Sequence, residues 1–342
     1  MVNTSFNKNI MKVYLKNIFS HTHQGKRAYQ EDCFAQGHGY ILVSDGVGGL
    51  AKGDVASGIV KTVWQEALDN VKINLAALED SVQTIVDGTM VALIKYAHEN
   101  PESMGMGATL ACAAIIEDKM VAIHVGDSRI YHFGRDGEIK WRSKDHSLVQ
   151  ELVTGGIITE EEAATHPKRN VITRVLQAKE GHETKASVQV LDQLETGDII
   201  MVCSDGIVES WSDVGISSVI MGHQNINDVI KVIGEHSAMN SGDNNTVLMG
   251  EIEIDGEKEE ISKHTPKQSQ SEDIAIGPDK EGQIATTAES NESLPNDKIE
   301  ENEVDILLQK RSFSIKQKYY RVAIFAIIII LIITVLYQKI SK

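Results

Sequence analysis

The stretch YILVSDGVGG, Tyr40 to Gly49, is the one from which the rest of the chain can be read. An apolar run rich in β-branched residues that stops at an Asp followed by glycines predicts a buried strand carrying a carboxylate to its own end. The phrase returns as IIMVCSDG, Ile199 to Gly206, a second apolar strand with the same Ser-Asp-Gly ending. Two such ends predict that Asp45 and Asp205 converge. Neighbouring carboxylates raise each other's pKa, so either one keeps a proton or cations lie between them. Further acids downstream favour cations.

Around these strands, the 342 residues leave room for two domains, or for one of roughly 250 residues with appendages. Composition favours the second. Beyond Ile254 the chain turns polar and poor in aromatics (EKEEISKHTPKQSQSEDIAIGPDKEGQ from Glu257), too little apolar surface to offset chain entropy. The expected organisation is a folded part over 1–253, a disordered acidic and polar linker over 254–315, a transmembrane helix over 319–338 and a short tail over 339–342. The net charge of −16 argues against nucleic acid as a partner. Cys33, Cys112 and Cys203 are scattered, odd in number and without a CxxC, the pattern of reduced core residues in a cytosolic domain. The amino terminus has no apolar run of signal-peptide length. By contrast, VAIFAIIIILIITVLY from Val322 to Tyr337, flanked by Tyr319, Tyr320 and basic residues, is long enough with its aromatics to span about 30 Å.

Taken in order, a first strand is expected over Met11 to Phe19, then the loop HTHQGKRAYQEDCF. His21 and His23, at alternate positions, are read as sharing one strand face rather than as metal ligands. Arg27 with Glu31 and Asp32 is a guanidinium fork near two carboxylates, which suits a phosphate beside a metal. GVGGLAKGD fails as a phosphate loop, because Lys52 precedes Gly and the G-x-x-x-x-G-K spacing is absent. Helices are expected over Asp54 to Asp69 and Leu75 to Asn100, the second burying Val82, Ile85, Val86, Met90, Leu93 and Ile94. ATLACAAII, MVAIHVGDSRIYHF and IKW read as one antiparallel meander, with Asp127 between two of its strands. A polar insertion with two short helices follows, Lys144 to Gln177. After the second SDG come helices near Val214 to Met221 and Ile226 to His236, and a last strand opened by Asp243.

Asp45, Asp127, Asp205 and Asp243, all at strand ends with no Cys or His beside them, are an all-oxygen set that selects Mg²⁺ or Mn²⁺ over Zn²⁺. RAYQED, VSDGVGG, GATL, VGDSRIY, KDHSLV, RNVITR, CSDGIVES and GDNNT, in that order over residues 27 to 246, resemble the metal-dependent Ser/Thr protein phosphatases of type 2C, in particular their bacterial branch. The resemblance covers neither the linker nor the apolar segment. It implies an α+β fold, a four-layer αββα sandwich of two antiparallel sheets flanked by helices. It also implies two Mn²⁺ or Mg²⁺ ions bridged by Asp45, with Asp205 and Asp243 completing one ion and the Gly46 carbonyl serving the other. A third, more labile ion would sit on Asp127 with Asp205. Asp32 and Glu31 would hold the attacking water, Arg27 would clamp the substrate phosphate, and Asn244 would support Asp243.

Cations so placed would make water a nucleophile near neutral pH and offset charge on the phosphoryl oxygens, with no cysteine nucleophile required. The chain departs from the family at the leaving-group acid: Val47 and Leu50 stand where relatives carry histidine. His146, His166 or water would then supply that proton. Expected partners are phosphorylated proteins, a Ser/Thr kinase among them. Two rivals are a membrane-tethered phospho-sensor of the same fold with little turnover, and a small-molecule phosphatase on the same metals. Lys310, Arg311, Lys316, Lys318 and Arg321 precede the apolar segment, and only Lys339 and Lys342 follow. That bias predicts a single-pass protein of the cell inner membrane with its catalytic domain in the cytoplasm.

Overall fold

Both faces of the strand at Tyr40 are covered, which is why its sequence is a continuous apolar run rather than an alternating one. Tyr40 and Leu42 belong to one hydrophobic cluster, Ile41 and Val43 to another. The computed structural model describes residues 12–47 and 52–255. The 319–338 helix, the 339–342 tail, Leu50 and all but the first two residues of the 254–315 linker lie outside the described residues. Among the described residues no helix is long and apolar enough to cross a membrane.

Within these bounds lie β1 (Lys12–His23), β2 (Asp32–Gly37), β3 (Tyr40–Val47), the helices α1 (Gly53–Asp69) and α2 (Leu78–Glu99), and the strands β4 (Gly107–Ala108), β5 (Leu110–Ile116), β6 (Lys119–Val125), β7 (Arg129–Phe133) and β8 (Ile139–Arg142). The insertion holds α3 (Leu148–Thr154), α4 (Glu160–Thr165) and β9 (Leu176–Gln177), and is followed by β10 (Ser187–Val190). The chain closes with β11 (Ile199–Cys203), α5 (Asp205–Ser210), α6 (Asp213–Gly222), α7 (Ile226–Asn240) and β12 (Asn245–Asp255).

All pairings are antiparallel and make two sheets. One runs β1-β12-β11-β7-β8; the other runs β10-β6-β5-β3-β4-β9, with β2 on β3. Three separate cores show how the layers stack. Ile41 and Val43 of β3, Ala111 and Ala113 of β5, Ile200 and Val202 of β11, and Leu248 of β12 form the layer between the sheets. Leu42 and Leu110 pack outward against Trp64 of α1 and Val86 and Leu93 of α2. Met201 and Met249 pack the other way, against Ile216 of α6 and Ile230 and Ile233 of α7. Helix, sheet, sheet and helix is the four-layer α+β arrangement expected. Each fully buried aliphatic side chain in these layers contributes about 1.5–3 kcal/mol of transfer free energy.

Several boundaries move. The first strand continues to His23 through an irregularity between Lys16 and Phe19, where Asn17 takes φ 47°. It therefore carries His21 and His23 within it: the His21 ring packs against Gly234 of α7, and His23 Nδ1 accepts from the Gly25 N–H at 3.0 Å. The second helix starts at Leu78 after a 3-10 turn over Leu75–Ala77, and it also buries Thr89 and Ala97 where Ile94 is only half-buried. The expected single meander is divided. β5 and β6 lie in one sheet and β7 and β8 in the other, and the chain crosses between them at Gly126-Asp127-Ser128. Polar register alone does not mark a change of sheet. The last strand runs two residues past the expected boundary at 253.

Candidate metal centre

The two SDG carboxylates do meet. Asp45 and Asp205 lie close enough that the charge of Asp205 helps to raise the pKa of Asp45, so the two cannot both ionise cheaply without a cation between them. Both glycines after these aspartates stand where another backbone passes: a Cβ on Gly46 would lie 2.2 Å from the Gly53 carbonyl oxygen, and one on Gly206 would lie 2.0 Å from that of Asn244. The glycines thus admit protein backbone, and they draw α1 and the start of β12 tight against the two strand ends.

Asp32 stands directly opposite Asp45 in the β2–β3 pairing. It is buried, and its Oδ2 accepts from Ser204 Oγ at 2.8 Å. Asp45 is fixed through its backbone: its N–H donates to Thr109 Oγ1 at 3.0 Å, and its carbonyl accepts from the Thr109 N–H at 2.8 Å. Thr109 Oγ1 lies 2.6 Å from Ser128 Oγ, which ties the strand end at Asp45 to the crossing that carries Asp127. Nothing in the motifs GATL and VGDSRIY signals this link. A threonine followed by apolar strand residues carries no local sign that its hydroxyl serves a distant backbone.

Burial and mutual repulsion raise Asp32, Asp45, Asp127 and Asp205. Asp32 is pushed up to about 7 and Asp127 to about 8, burial acting first and Asp205 adding to both. Asp205 rises to about 6 through burial and Asp243. Asp45 is held well above the carboxylate range by burial and by Asp32, Asp205 and Asp127. Asp32 Oδ1, Asp127 Oδ1 and Asp205 Oδ1 are buried with no hydrogen-bond donor among the described residues. Among the described residues no three His, Cys, Asp or Glu side chains are already gathered as a ligand cage. The four acids are instead a repelling cluster with unsatisfied oxygens, a donor set that fits hard divalent cations.

Asp243 is turned to other partners. Its Oδ2 accepts from Arg27 Nη2 at 2.5 Å and its Oδ1 from the Asn244 N–H at 2.8 Å. The expected support of Asp243 by Asn244 is therefore a backbone matter. The Asn244 side chain reaches the loop before β2 instead, donating to the carbonyls of Gln24 (2.7 Å) and Tyr29 (2.9 Å) and accepting from the Glu31 N–H (2.8 Å). It staples the loop that presents Arg27. Glu31 faces the start of α1, where a Cβ on Gly53 would lie 2.6 Å from its Oε1, and its carbonyl accepts from Ser57 Oγ at 2.5 Å and from the Gly46 N–H at 3.1 Å.

A cleft of about 690 Å³ opens beside the cluster. Asp127, Asp205 and Asp243 line it together with Arg129, Arg142 and, from the insertion, Arg169. Arg129 grips Asp145 with two hydrogen bonds, 2.8 and 2.7 Å, which braces the root of the insertion. Of the two histidines considered for the leaving-group proton, His146 is locked. Its Nδ1 accepts from the Gly126 N–H at 3.1 Å, its Nε2 lies 2.8 Å from Ser187 Oγ, and its ring stacks on His124. Burial and His124 press it down to about 3, so it stays neutral and structural. His166 ends α4, and its Nδ1 accepts from the Lys168 N–H.

The chain matches the family model described as Protein phosphatase 2C over residues 20–225. It belongs to the protein phosphatase 2C family. It is, by that membership, a protein serine/threonine phosphatase. Serine/threonine phosphatase stp of Listeria innocua is 30% identical over 215 residues, 62% of this chain and 83% of that protein. Among solved structures, serine/threonine phosphatase Stp1 from Staphylococcus aureus superposes with a TM-score of 0.61 at 28% identity, covering 70% of this chain and 95% of that one. The catalytic domain of serine threonine protein phosphatase PstP, solved in complex with two manganese ions, gives 0.60 at 28% identity, over 70% of this chain and 98% of that domain. The family model takes in Asp32, Asp45, Asp127 and Asp205 and ends before Asp243.

Proposed function

We propose that this phosphatase hydrolyses phosphoserine and phosphothreonine in proteins with two Mn²⁺ or Mg²⁺ ions, and a third more loosely held, on its acidic cluster. The observation that carries the reading is the set of three buried carboxylate oxygens, on Asp32, Asp127 and Asp205, with no donor among the described residues. Asp45 would bridge two ions, Asp205 and Asp243 would complete one, the Gly46 carbonyl would serve the other, and Asp127 with Asp205 would take the third. When bound, such ions lower the pKa of water and offset charge on phosphoryl oxygens. The chain's own residues do the rest. Asp32, backed by Ser204, is assigned the attacking water, and Glu31 holds the strand end against α1. Arg27, half-exposed, spends one N–H on Asp243 and is thereby oriented, and its remaining donors are assigned the substrate phosphate. The test of the reading is turnover of a phosphothreonine peptide by the purified full chain with and without added Mn²⁺.

Arg27→Ala is expected to raise KM for phosphopeptide about tenfold, the size of one charge-assisted hydrogen bond, with a smaller fall in kcat. Arg27→Lys should recover only part of this, lacking the fork. Steady-state kinetics on both variants decide it: an unchanged KM would leave Arg27 as the ion-pair partner of Asp243 alone.

We further propose that the apolar segment at Val322 to Tyr337 anchors the enzyme in the inner membrane with residues 1–253 in the cytoplasm, facing membrane-bound phosphoproteins such as a Ser/Thr kinase. An intervening linker of about 60 residues would give a reach of roughly 40 Å, and so a high local concentration toward substrates in the same membrane. Truncation after residue 315 should keep peptide turnover, release the protein from the membrane fraction and slow dephosphorylation of a membrane-bound kinase. Unchanged kinase phosphorylation in cells carrying the truncated protein would refute the tethering, and digestion of the catalytic domain by protease outside intact spheroplasts would refute the orientation.

A further inference from the structure

Glu209 has no part in the roles above, yet its carboxylate gathers one turn. It lies in the short helix α5, four residues after Asp205. Its Oε2 accepts from Ser241 Oγ at 2.6 Å and from the Gly242 N–H at 2.9 Å. The Asp243 N–H in turn donates to Ser241 Oγ at 3.0 Å, so the hydroxyl that Glu209 holds relays to Asp243. Both donors belong to the turn that ends α7 and delivers Asp243 to β12. A solvent-facing carboxylate in a single ion pair does little. This one differs, because its donors are consecutive residues of one turn and bonds to an ionised acceptor are roughly twice as strong as neutral ones.

The far side of Asp243 is held independently. Its carbonyl accepts from Asn245 Nδ2 at 3.1 Å, and its Oδ2 from Arg27. Glu209 therefore holds the Ser241-Gly242 side of the turn, where the Ser241 N–H also donates to the Ser237 carbonyl at 2.8 Å. Since Glu209 and Asp205 share α5, the two acids assigned to one ion are tied through a single short helix.

We infer that Glu209 is a positioning residue for the proposed metal centre: by gathering the Ser241-Gly242-Asp243 turn it sets the distance between the Asp243 and Asp205 carboxylates, and so the affinity for the ion they share. The inference rests on the metal reading of the preceding subsection. It acts on the chain's own geometry, so its effect is on ion binding first and on turnover only through it.

The test is titration of the full-length chain with Mn²⁺, followed by the electron paramagnetic resonance signal of free ion, with Glu209→Ala and Glu209→Gln beside wild type. Groups that orient metal ligands are typically worth 10–100-fold in affinity. Glu209→Ala should weaken the tightest site by about that factor, and Glu209→Gln, which keeps one acceptor oxygen, by less. Turnover by Glu209→Ala should return to within a few fold of wild type when Mn²⁺ is raised to saturation, which a merely destabilised fold would not do. A Kd for Mn²⁺ within twofold of wild type in both variants would overturn the inference while leaving the metal reading intact. A wild-type chain that takes up no Mn²⁺ would overturn the metal reading, and this inference with it.

Discussion

Asp45→Ala and Asp205→Ala are each expected to lose phosphopeptide turnover by on the order of 10²–10³-fold, the scale of removing a preorganised electrostatic group from an active site. The same substitutions are expected to make the metal-free chain more heat-stable at pH 8. Each deletes one of a pair of crowded carboxyls, and relief of repulsion outweighs the small loss of packing. That pairing of opposite effects separates a site role from a structural one. Turnover on phosphopeptide and melting in EDTA measure the two. Either variant keeping more than a tenth of wild-type turnover would end the assignment of these acids to the chemistry.

Removal of divalent ions should abolish turnover and expose the repulsion stored in the cluster. Asp32, Asp127 and Asp205, raised by burial and by one another to about 7, 8 and 6, keep protons in the folded chain that the unfolded chain has already released. Stability of the metal-free protein therefore falls as pH rises through that window, because the folded state binds more protons than the unfolded one. In EDTA, Tm should drop by several degrees between pH 6 and pH 8, given that about 1 kcal/mol moves a domain of this size by about 2–4 °C. Saturating Mn²⁺ should raise Tm most at the upper end of the range, a hundredfold excess over Kd contributing about 2.7 kcal/mol. A metal-free Tm that is flat or rising from pH 6 to pH 8 would contradict the raised acids, and turnover that survives exhaustive EDTA treatment would contradict metal dependence.

What the sequence made legible follows from where the physics is local. A strand covered on both faces must be apolar without a break, so β3 and β11 declared themselves, and their shared Asp-Gly endings foretold that Asp45 and Asp205 meet. Helix periodicity placed α1, α2, α6 and α7 to within a few residues. The short elements were missed: β9 and β10 have too few residues for a pattern, and α5 begins on Asp205 itself, where the motif drew all the reading to chemistry. Long-range hydrogen bonds were out of reach. Nothing near Thr109, Ser204, Glu209 or Asn244 says that their side chains serve backbone or carboxylates tens to hundreds of residues away. The division of β5–β6 from β7–β8 was hidden for a related reason, since adjacent strands in sequence usually pair and the crossing at Gly126 looks like any tight turn.

That crossing sets how chemistry and cohesion are linked. Asp32 and Asp45 ride on one sheet, Asp205 and Asp243 stand at the strand ends of the other, and Asp127 lies on the chain passing between them. Ions held by these acids would act as rivets across the seam of the sandwich, joining two plates that otherwise adhere through apolar contact. The gap between the plates is set in part by Ala111 and Ala113, small residues in the middle layer. A bulkier side chain there would pry the plates apart and stretch the spacing of the acids without touching any of them. The alanines of β5 are in this sense shims of the active site, and drift at such positions would tune the enzyme's appetite for metal from a distance.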